Sequence, residues 1–400
     1  MHKFALPFCL LLSIITYCLG DYYVISHGSH IIFNIARLLS DIFIDLLKLI
    51  SLPLIFLSII SVLSGLKDSI EVKFLLRKIL FYTLFTTITA ASIALVFYLL
   101  IDPAKSNIVT NNLVENNSSK QSYLPYLKSL IPSNVIKIFL ENNVIGAMFI
   151  AFLIGVSVLS LQKEKQMILH QVFSALFDTL LKVTQYILKF IPVAICAFII
   201  CFLHDLKDNH QLYGLLWYLF CVIFANFVQA FLVLPLLMWY KGISSFQTFK
   251  GVLSALTIGF FSKSSSGTLP TTINCVQKNL NVSKKISSIV LPVCTTINMN
   301  ACASFILITV MFVSESNGYV FTFCEMFAWI FLSTLAAVGN AGIPMGCYFM
   351  ATNYLIAMNI PLHIMGVILP FYAIIDMLET AINIWSDVCI TQIVNKEYTE

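Results

Sequence analysis

Apolar runs long enough to cross about 30 Å of hydrocarbon recur near residues 4–20, 36–64, 76–100, 139–161, 187–204, 217–239, 289–313 and 366–391. Each is read as a helix, because a spanning segment must pair its own backbone N–H and C=O groups. The first run, Phe4 to Leu19, has the charged start and apolar middle of a signal peptide. It lacks a clean small-x-small cleavage site, so a first transmembrane helix is expected instead. The second run carries Asp41, Asp45 and Lys48 near its start, as a long tilted helix does when its charged end reaches the interface. Arg77 and Lys78, then Lys163 and Lys165, flank spans on one side, which places the N-terminus in the cytoplasm under the positive-inside bias. Residues 104–135 form a polar stretch with Asn111, Asn112, Asn116 and Asn117, read as an extracytoplasmic loop. Asn117-Ser118-Ser119 within it matches a glycosylation acceptor.

The C-terminal half departs from this pattern. Segments 252–277 and 328–360 are too broken by Ser, Gly, Asn and Pro for plain spans, and too apolar for long loops in water. The first holds Ser262-Lys263-Ser264-Ser265-Ser266-Gly267-Thr268-Leu269-Pro270, and the second holds Gly339-Asn340-Ala341-Gly342-Ile343-Pro344. Each precedes an apolar helix, so 252–313 and 328–391 read as two halves of an inverted repeat with discontinuous helices. Gly267 and Pro270 are expected to supply the turn and interruption of the first segment.

Composition narrows the class further. Hydrophobic residues are 59% of the chain, charged residues 10%, and mean hydropathy is +0.91, against roughly 25% charged in a soluble domain. That allowance cannot cover a water-facing surface, so the chain is polytopic in the membrane. A net charge of +4 from 23 basic and 19 acidic residues, scattered along the chain, gives no footprint for nucleic acid. The eleven cysteines sit mostly in apolar runs (Cys9, Cys196, Cys201, Cys221, Cys302) without paired metal spacing. They are read as small packing residues rather than disulfide or zinc partners.

Polar residues at membrane depth carry the candidate chemistry. Asp376, Glu379, Asn383 and Asp387 lie at offsets of 0, 3, 7 and 11 in the last run, so they share one helical face. Intramembrane carboxylates face a cavity, a partner or an ion path; pairing with Lys or Arg is the bland alternative. Thr295-Thr296-Ile297-Asn298-Met299-Asn300 interrupts another run. Unwound there, the chain offers carbonyl oxygens and the Asn298 side chain to a hard cation such as Na⁺, although polar residues in such helices also serve packing. Ser264, Ser265 and Ser266 offer hydroxyls and N–H groups suited to a carboxylate. Gly339, Gly342, Pro344 and Gly346 have the composition of a movable gate. No nucleophile–base pair or metal cluster emerges, so an enzyme is not expected.

The run from Ser262 through Asn300, including Ser-Ser-Ser-Gly-Thr-Leu-Pro and Thr-Ile-Asn-Met-Asn, resembles the dicarboxylate/amino acid:cation symporter family. The likeness continues through Gly339–Pro344 and Asp376–Asp387, with weaker echoes at Leu46–Pro53 and Ile131–Asn134. It implies an all-α membrane protein of eight transmembrane helices and two re-entrant helical hairpins, arranged as inverted repeats in an elevator-type glutamate transporter fold and assembled as a homotrimer in the plasma membrane (the inner membrane in a prokaryote). Residues 1–75 would hold scaffold helices 1 and 2, and 76–103 helix 3 of the transport domain. Scaffold helices 4 and 5 with the loop would occupy 104–240, and the transport core 241–395.

The resemblance also implies site roles. Substrate would meet Ser264, Ser265, Ser266, Gly342, Ile343, Pro344, Asp376, Glu379 and Asn383, with Asp376 holding the ammonium. A first Na⁺ site would use Cys294, Asn298, Asn383 and Asp387, and a second Thr296, Met299, Ala337, Val338 and Asn340. Tyr82, Thr86, Thr87 and Asn300 would form a weakened third site, since Asn300 stands where the family commonly has an aspartate. Phe305 replaces the usual tyrosine. The largest departure is Glu379, where carriers of acidic substrates have an arginine; a glutamate there repels a second carboxylate. Lys263 stands where some members carry arginine, but it is a less specific point charge.

The expected activity is therefore cation-coupled symport of an amino acid, with Na⁺ or H⁺ as the coupling ion and no covalent cofactor. Neutral or cationic substrates are favoured. A glutamate, aspartate or C4-dicarboxylate symporter, an anion-leak channel and a transporter-like sensor are the alternatives.

Overall fold

A computed structural model describes residues 16–17, 31–65, 70–104, 134–140, 144–205, 211–340 and 345–399. Regular structure among them is entirely helical. The expected span at 4–20, the loop at 104–135 with Asn117, and the gate residues Gly342, Ile343 and Pro344 fall largely or wholly outside the described residues.

The N-terminal half comprises α1 (Ile31–Ser64), α2 (Ile70–Ile101), α3 (Val135–Leu140), α4 (Val144–Leu159), α5 (Lys163–Leu188) and α6 (Ile191–Asp205). α1 packs against α4, α5 and α6. The apolar pattern misses α5, because its first turns carry Lys163, Glu164, Lys165 and Gln166. Only one side of it meets α1, so an unbroken apolar run is unnecessary.

A rod follows in α7 (Gln211–Val228) and α8 (Leu234–Tyr240), joined by a π-helical turn at Gln229–Val233. The extra residue of that turn accompanies a buried Gln229, whose Nε2 donates to the Thr86 carbonyl at 3.1 Å. The rod ends at the expected domain boundary of residue 240, yet its contacts run to α2, α12 and α15.

The C-terminal half consists of α9 (Ser245–Ser262), α10 (Ser265–Leu280), α11 (Lys284–Ile297), α12 (Asn300–Ser316), α13 (Phe323–Gly339), α14 (Gly346–Ala357) and α15 (His363–Thr399). The first broken segment is a helical hairpin, α9–α10, and the second supplies the helix pair α13 and α14. The first turns at Lys263 and Ser264, not at Gly267 and Pro270. Lys263 takes a left-handed backbone (φ 56°) that ends α9, and Ser264 caps α10 by accepting from Gly267 N at 3.0 Å. A polar cap satisfies an orphan N–H that membrane depth would otherwise leave costly, so Gly267 sits inside the first turn of α10. A reciprocal capping box between Thr322 and Glu325 starts α13.

Among the described residues, four helical stretches are long and apolar enough to cross a membrane: Leu75–Ile101, Gly214–Tyr240, Lys284–Ser316 and His363–Tyr398. They coincide with the expected runs at 76–100, 217–239, 289–313 and 366–391. The protein is accordingly an all-α, multi-pass membrane protein. At its centre α12 is buried from Asn300 to Ser314 and packs against α2, α7, α13, α14 and α15. Ala301, Cys302, Ala303 and Ser304 give it the small-residue surface that close helix approach requires in lipid.

Candidate functional site

The helix beginning at Lys284 stops at Ile297 and restarts at Asn300. Asn298 (φ −95°, ψ 74°) and Met299 (φ −110°, ψ 63°) leave helical geometry between the halves, as the polar run Thr295–Asn300 predicts. The break faces α15, and the two build adjoining sites.

The first is a cavity lined by Asp376, Glu379, Thr380 and Asn383 from α15, Met299 and Cys302 from the break and α12, Lys263 and Ser265 from the first hairpin, and Asn340, Gly346 and Cys347 from the second. Three of the four predicted α15 residues thus share it. Tyr372, one turn before Asp376, reaches both acids: its hydroxyl donates to Asp376 Oδ1 at 3.5 Å and Glu379 Oε2 at 3.4 Å. Glu379 is 1% exposed and its Oε1 has no hydrogen-bond partner. Thr380 Oγ1 turns back to the Asp376 carbonyl at 2.7 Å. Lys263 is the cation of the cavity wall among the described residues, and its Nζ donates to the Ala373 carbonyl.

Of the three serines, Ser265 alone lines the cavity. Ser264 is occupied as a helix cap, and Ser266 is exposed. Two cysteines read as packing residues prove otherwise: Cys302 and Cys347 pair as a disulfide inside the cavity, Cα–Cα 5.4 Å and 45 residues apart. No local spacing signals this pair, because folding of α14 onto α12 creates it.

Asp387 lies further along α15 in the second site. It is 2% exposed, accepting from Asn298 Nδ2 at 2.8 Å and Thr295 Oγ1 at 3.4 Å. Among the described residues no basic side chain pairs with it, so neutral donors alone face a buried carboxylate. Such a group gains most from a bound cation, and the surrounding oxygens suit Na⁺ or a proton. The other proposed Na⁺ ligands are dispersed around the break. Cys294 O accepts from Asn298 N at 2.8 Å; Asn383 Oδ1 accepts from Ala301 N at 3.0 Å, while its Nδ2 faces Met299 Sδ at 3.4 Å. Thr296 Oγ1 donates to Val293 O at 2.7 Å. Ala337 O accepts from Asn340 N at 3.2 Å. Val338 is half-buried near the end of α13.

Thr86, Thr87 and Asn300 do come together. Asn300 Oδ1 accepts from Thr87 Oγ1 at 2.7 Å and Thr86 Oγ1 at 3.3 Å, and its Nδ2 donates to Ser386 Oγ at 2.7 Å. Asn298 Nδ2 reaches the same Ser386 at 2.9 Å. The Tyr82 hydroxyl instead turns to Glu397, which also takes Lys78 Nζ at 2.8 Å and Lys241 Nζ at 2.6 Å. Phe305 packs on Tyr372, ring centroids 4.8 Å apart. Tyr372 and Ser386 escaped the sequence reading. Each lies on α15 beside an acid, at a helical offset from the predicted set that extending the face would have reached.

A buried helix broken at membrane depth, facing acids in a cavity lined from several helices, is the arrangement expected of a membrane transport protein. The chain belongs to the Sodium:dicarboxylate symporter family, whose model matches residues 10–397. It is a family of secondary transporters, not enzymes. The chain is 25% identical to Neutral amino acid transporter B(0) of Oryctolagus cuniculus over 384 residues, covering 87% of this chain and 71% of that one. It is also 25% identical to Neutral amino acid transporter A of Bos taurus over 390 residues, 87% and 73% covered. A Caenorhabditis elegans relative, Putative sodium-dependent excitatory amino acid transporter glt-4, shares 24% over 414 residues, 90% and 82% covered.

Proposed function

We propose that the protein is a cation-coupled symporter of neutral or cationic amino acids. The observation that carries this reading is Glu379: a buried cavity carboxylate with one oxygen unpaired and, among the described residues, no arginine in the cavity wall. A second carboxylate on the substrate would meet that acid at close range, whereas a side-chain hydroxyl, amide or ammonium could donate to it. Asp376 receives the substrate ammonium, and N–H and hydroxyl groups near Ser265 receive its carboxylate. Relatives named as neutral amino acid transporters support the same substrate class.

Lys263 is the specific observation in favour of an acidic substrate, because it lines the same cavity. Its ammonium already donates to a carbonyl, and a flexible point charge is a weaker carboxylate clamp than a guanidinium fork. The neutral or cationic reading is therefore preferred.

Asp387, with Asn298, Asn383 and the Cys294 carbonyl, is the proposed coupling-ion site. Thr296, Met299 and the carbonyls of Ala337, Val338 and Asn340 form the second. Asn300, satisfied by Thr86, Thr87 and Ser386, replaces a third site with neutral hydrogen bonds. The hairpins α9–α10 and α13–α14 are proposed to be re-entrant within an eight-helix fold, Gly342–Pro344 to serve in the gate, and the chain to work as a homotrimeric elevator. Contacts of the α7–α8 rod with α2 and α12 argue for assigning it to the moving body, which shifts that boundary from 241 to about residue 211.

Uptake of radiolabelled amino acids into proteoliposomes tests the reading. Saturable uptake of a neutral or basic amino acid, dependent on a Na⁺ or H⁺ gradient, is expected. Glu379→Arg should shift preference toward aspartate or glutamate. Strong wild-type glutamate or succinate uptake, indifferent to Glu379→Arg, would overturn it. Uptake that follows a proton gradient without Na⁺ would make Asp387 a proton carrier.

A further inference from the structure

Cys302, Cys347 and Glu379 place two sulfurs and a carboxylate oxygen within 4.8 Å of one another, all buried. They come from three separate elements, α12, α14 and α15. We propose that the reduced cysteine pair and Glu379 form a binding site for a thiophilic divalent cation of the zinc and cadmium class, and that its occupant staples the second hairpin to α12 and α15.

Three observations beyond proximity support this. Glu379 Oε1 is buried without a partner, which leaves a carboxylate oxygen free to act as a ligand. Amide donors surround the sulfurs: Asn340 Nδ2 lies 3.5 Å from both Cys302 Sγ and Cys347 Sγ, and Asn383 Nδ2 lies 3.5 Å from Cys302 Sγ. Donors aimed at sulfur suit an anionic thiolate, the form that binds metal. Finally, all three residues line the cavity, so two thiolates and one carboxylate make a three-ligand set that leaves a fourth ligand to be supplied there, the composition of an exchangeable rather than a closed zinc site. Soft sulfur ligands select this class over Na⁺, Mg²⁺ or Ca²⁺.

The disulfide and the metal site are alternative states of one pair. Exchange with a small-molecule disulfide passes two electrons and two protons from the thiols to that disulfide, which leaves as two thiols, and abolishes the ligands; reduction by a thiol or phosphine restores them. A bound ion would occupy space that the proposed function gives to the substrate side chain, so it should compete with substrate. That consequence rests on the proposed function, but metal binding itself does not.

The test uses the purified full chain in detergent, reduced with a phosphine and then freed of it. Cd²⁺ is titrated while thiolate-to-metal charge-transfer absorption is read. Wild type is expected to show a saturable band that disappears after oxidation. Cys302→Ser and Cys347→Ser should each abolish the high-affinity phase. Glu379→Gln should weaken it by more than the ~10-fold that begins the range for outer-shell partners. Cys275→Ser, at a buried thiol outside the cavity, should leave it intact. Absence of Cd²⁺ binding to the phosphine-treated protein, including a pair that resists reduction, overturns the proposal. So does a band unchanged in Cys347→Ser. No step requires transport, so this result and the uptake panel fail independently.

Discussion

Gly346 is the position where one added methyl group should most clearly disturb the second hairpin. It opens α14 immediately after Met345, whose backbone is left-handed (φ 59°). A Cβ at Gly346 would fall on the side-chain oxygen and carbon of Asn340 and come within 3.0 Å of its nitrogen. Asn340 is 2% exposed, so its side chain cannot swing into solvent. Gly346→Ala must rotate Asn340, breaking its contacts to both cavity sulfurs, or tilt α14. Overpacking of this kind costs about 1–3 kcal/mol. If that strain falls on the closed hairpin and not the open one, closure becomes about 5- to 150-fold less favourable. Concentration-dependent uptake in proteoliposomes should show half-saturation rising by that factor for both substrate and coupling cation. Asn340→Ala removes the obstructing side chain while keeping the backbone carbonyl, so the double variant should regain much of what Gly346→Ala alone loses. A double variant no better than Gly346→Ala would refute the steric account.

Three further outcomes follow from the same geometry. Asn300→Asp restores a charge beside Thr86, Thr87 and Ser386, and should make uptake depend more steeply on cation concentration; an unchanged Hill slope would count against Asn300 as the modified third site. Gly366 of α15 leaves no room for a Cβ against the Phe198 ring of α6, so Gly366→Val should lower turnover more than substrate affinity, and equal losses in both would argue against a role in motion. Glu397→Gln should lower thermal stability by about 1 kcal/mol, the upper range for partly exposed ion pairs. Its hydrogen bond to Lys241 raises that lysine's pKa above the ordinary 10.5, so the pair stabilises fully below that value and loses its contribution as pH rises through the raised one. The gap between wild type and Glu397→Gln should therefore narrow in strongly alkaline buffer, and a gap that stays constant there would contradict the assignment.

What the sequence disclosed and what it withheld divide along the range of the interactions involved. Apolar runs and their interruptions depend on local hydration, so the spans at 76–100, 217–239, 289–313 and 366–391 and the break at Asn298–Met299 were legible. α5 was not, since a helix burying one side against α1 needs no continuous apolar stretch. The first hairpin's turn was misplaced because Gly267 and Pro270 are common turn residues, whereas Lys263 reached the left-handed region without glycine and Ser264 capped the returning helix. The disulfide partners were invisible, each a lone cysteine in an apolar helix until α14 packs on α12.

The four polar residues of α15 illustrate the limit from the opposite direction. Their offsets correctly put Asp376, Glu379, Asn383 and Asp387 on one face, but a helical face has length as well as direction. Eleven residues at ~1.5 Å each separate Asp376 from Asp387 by about 16 Å along the axis, too far for one small ligand to bridge. The broken helix resolves this by meeting the face at its middle: Met299 and Cys302 accompany Asn383 toward the cavity, while Asn298 turns back to Asp387. Two non-helical residues, 298 and 299, thus direct neighbouring side chains to the cavity and to the proposed cation site. Ala301 N on Asn383 Oδ1 at 3.0 Å ties the restart of α12 to the residue lying between the two sites. Any movement of that restart on cation binding would be felt in the cavity through Asn383, which supplies a physical route for coupling without direct contact between ion and substrate.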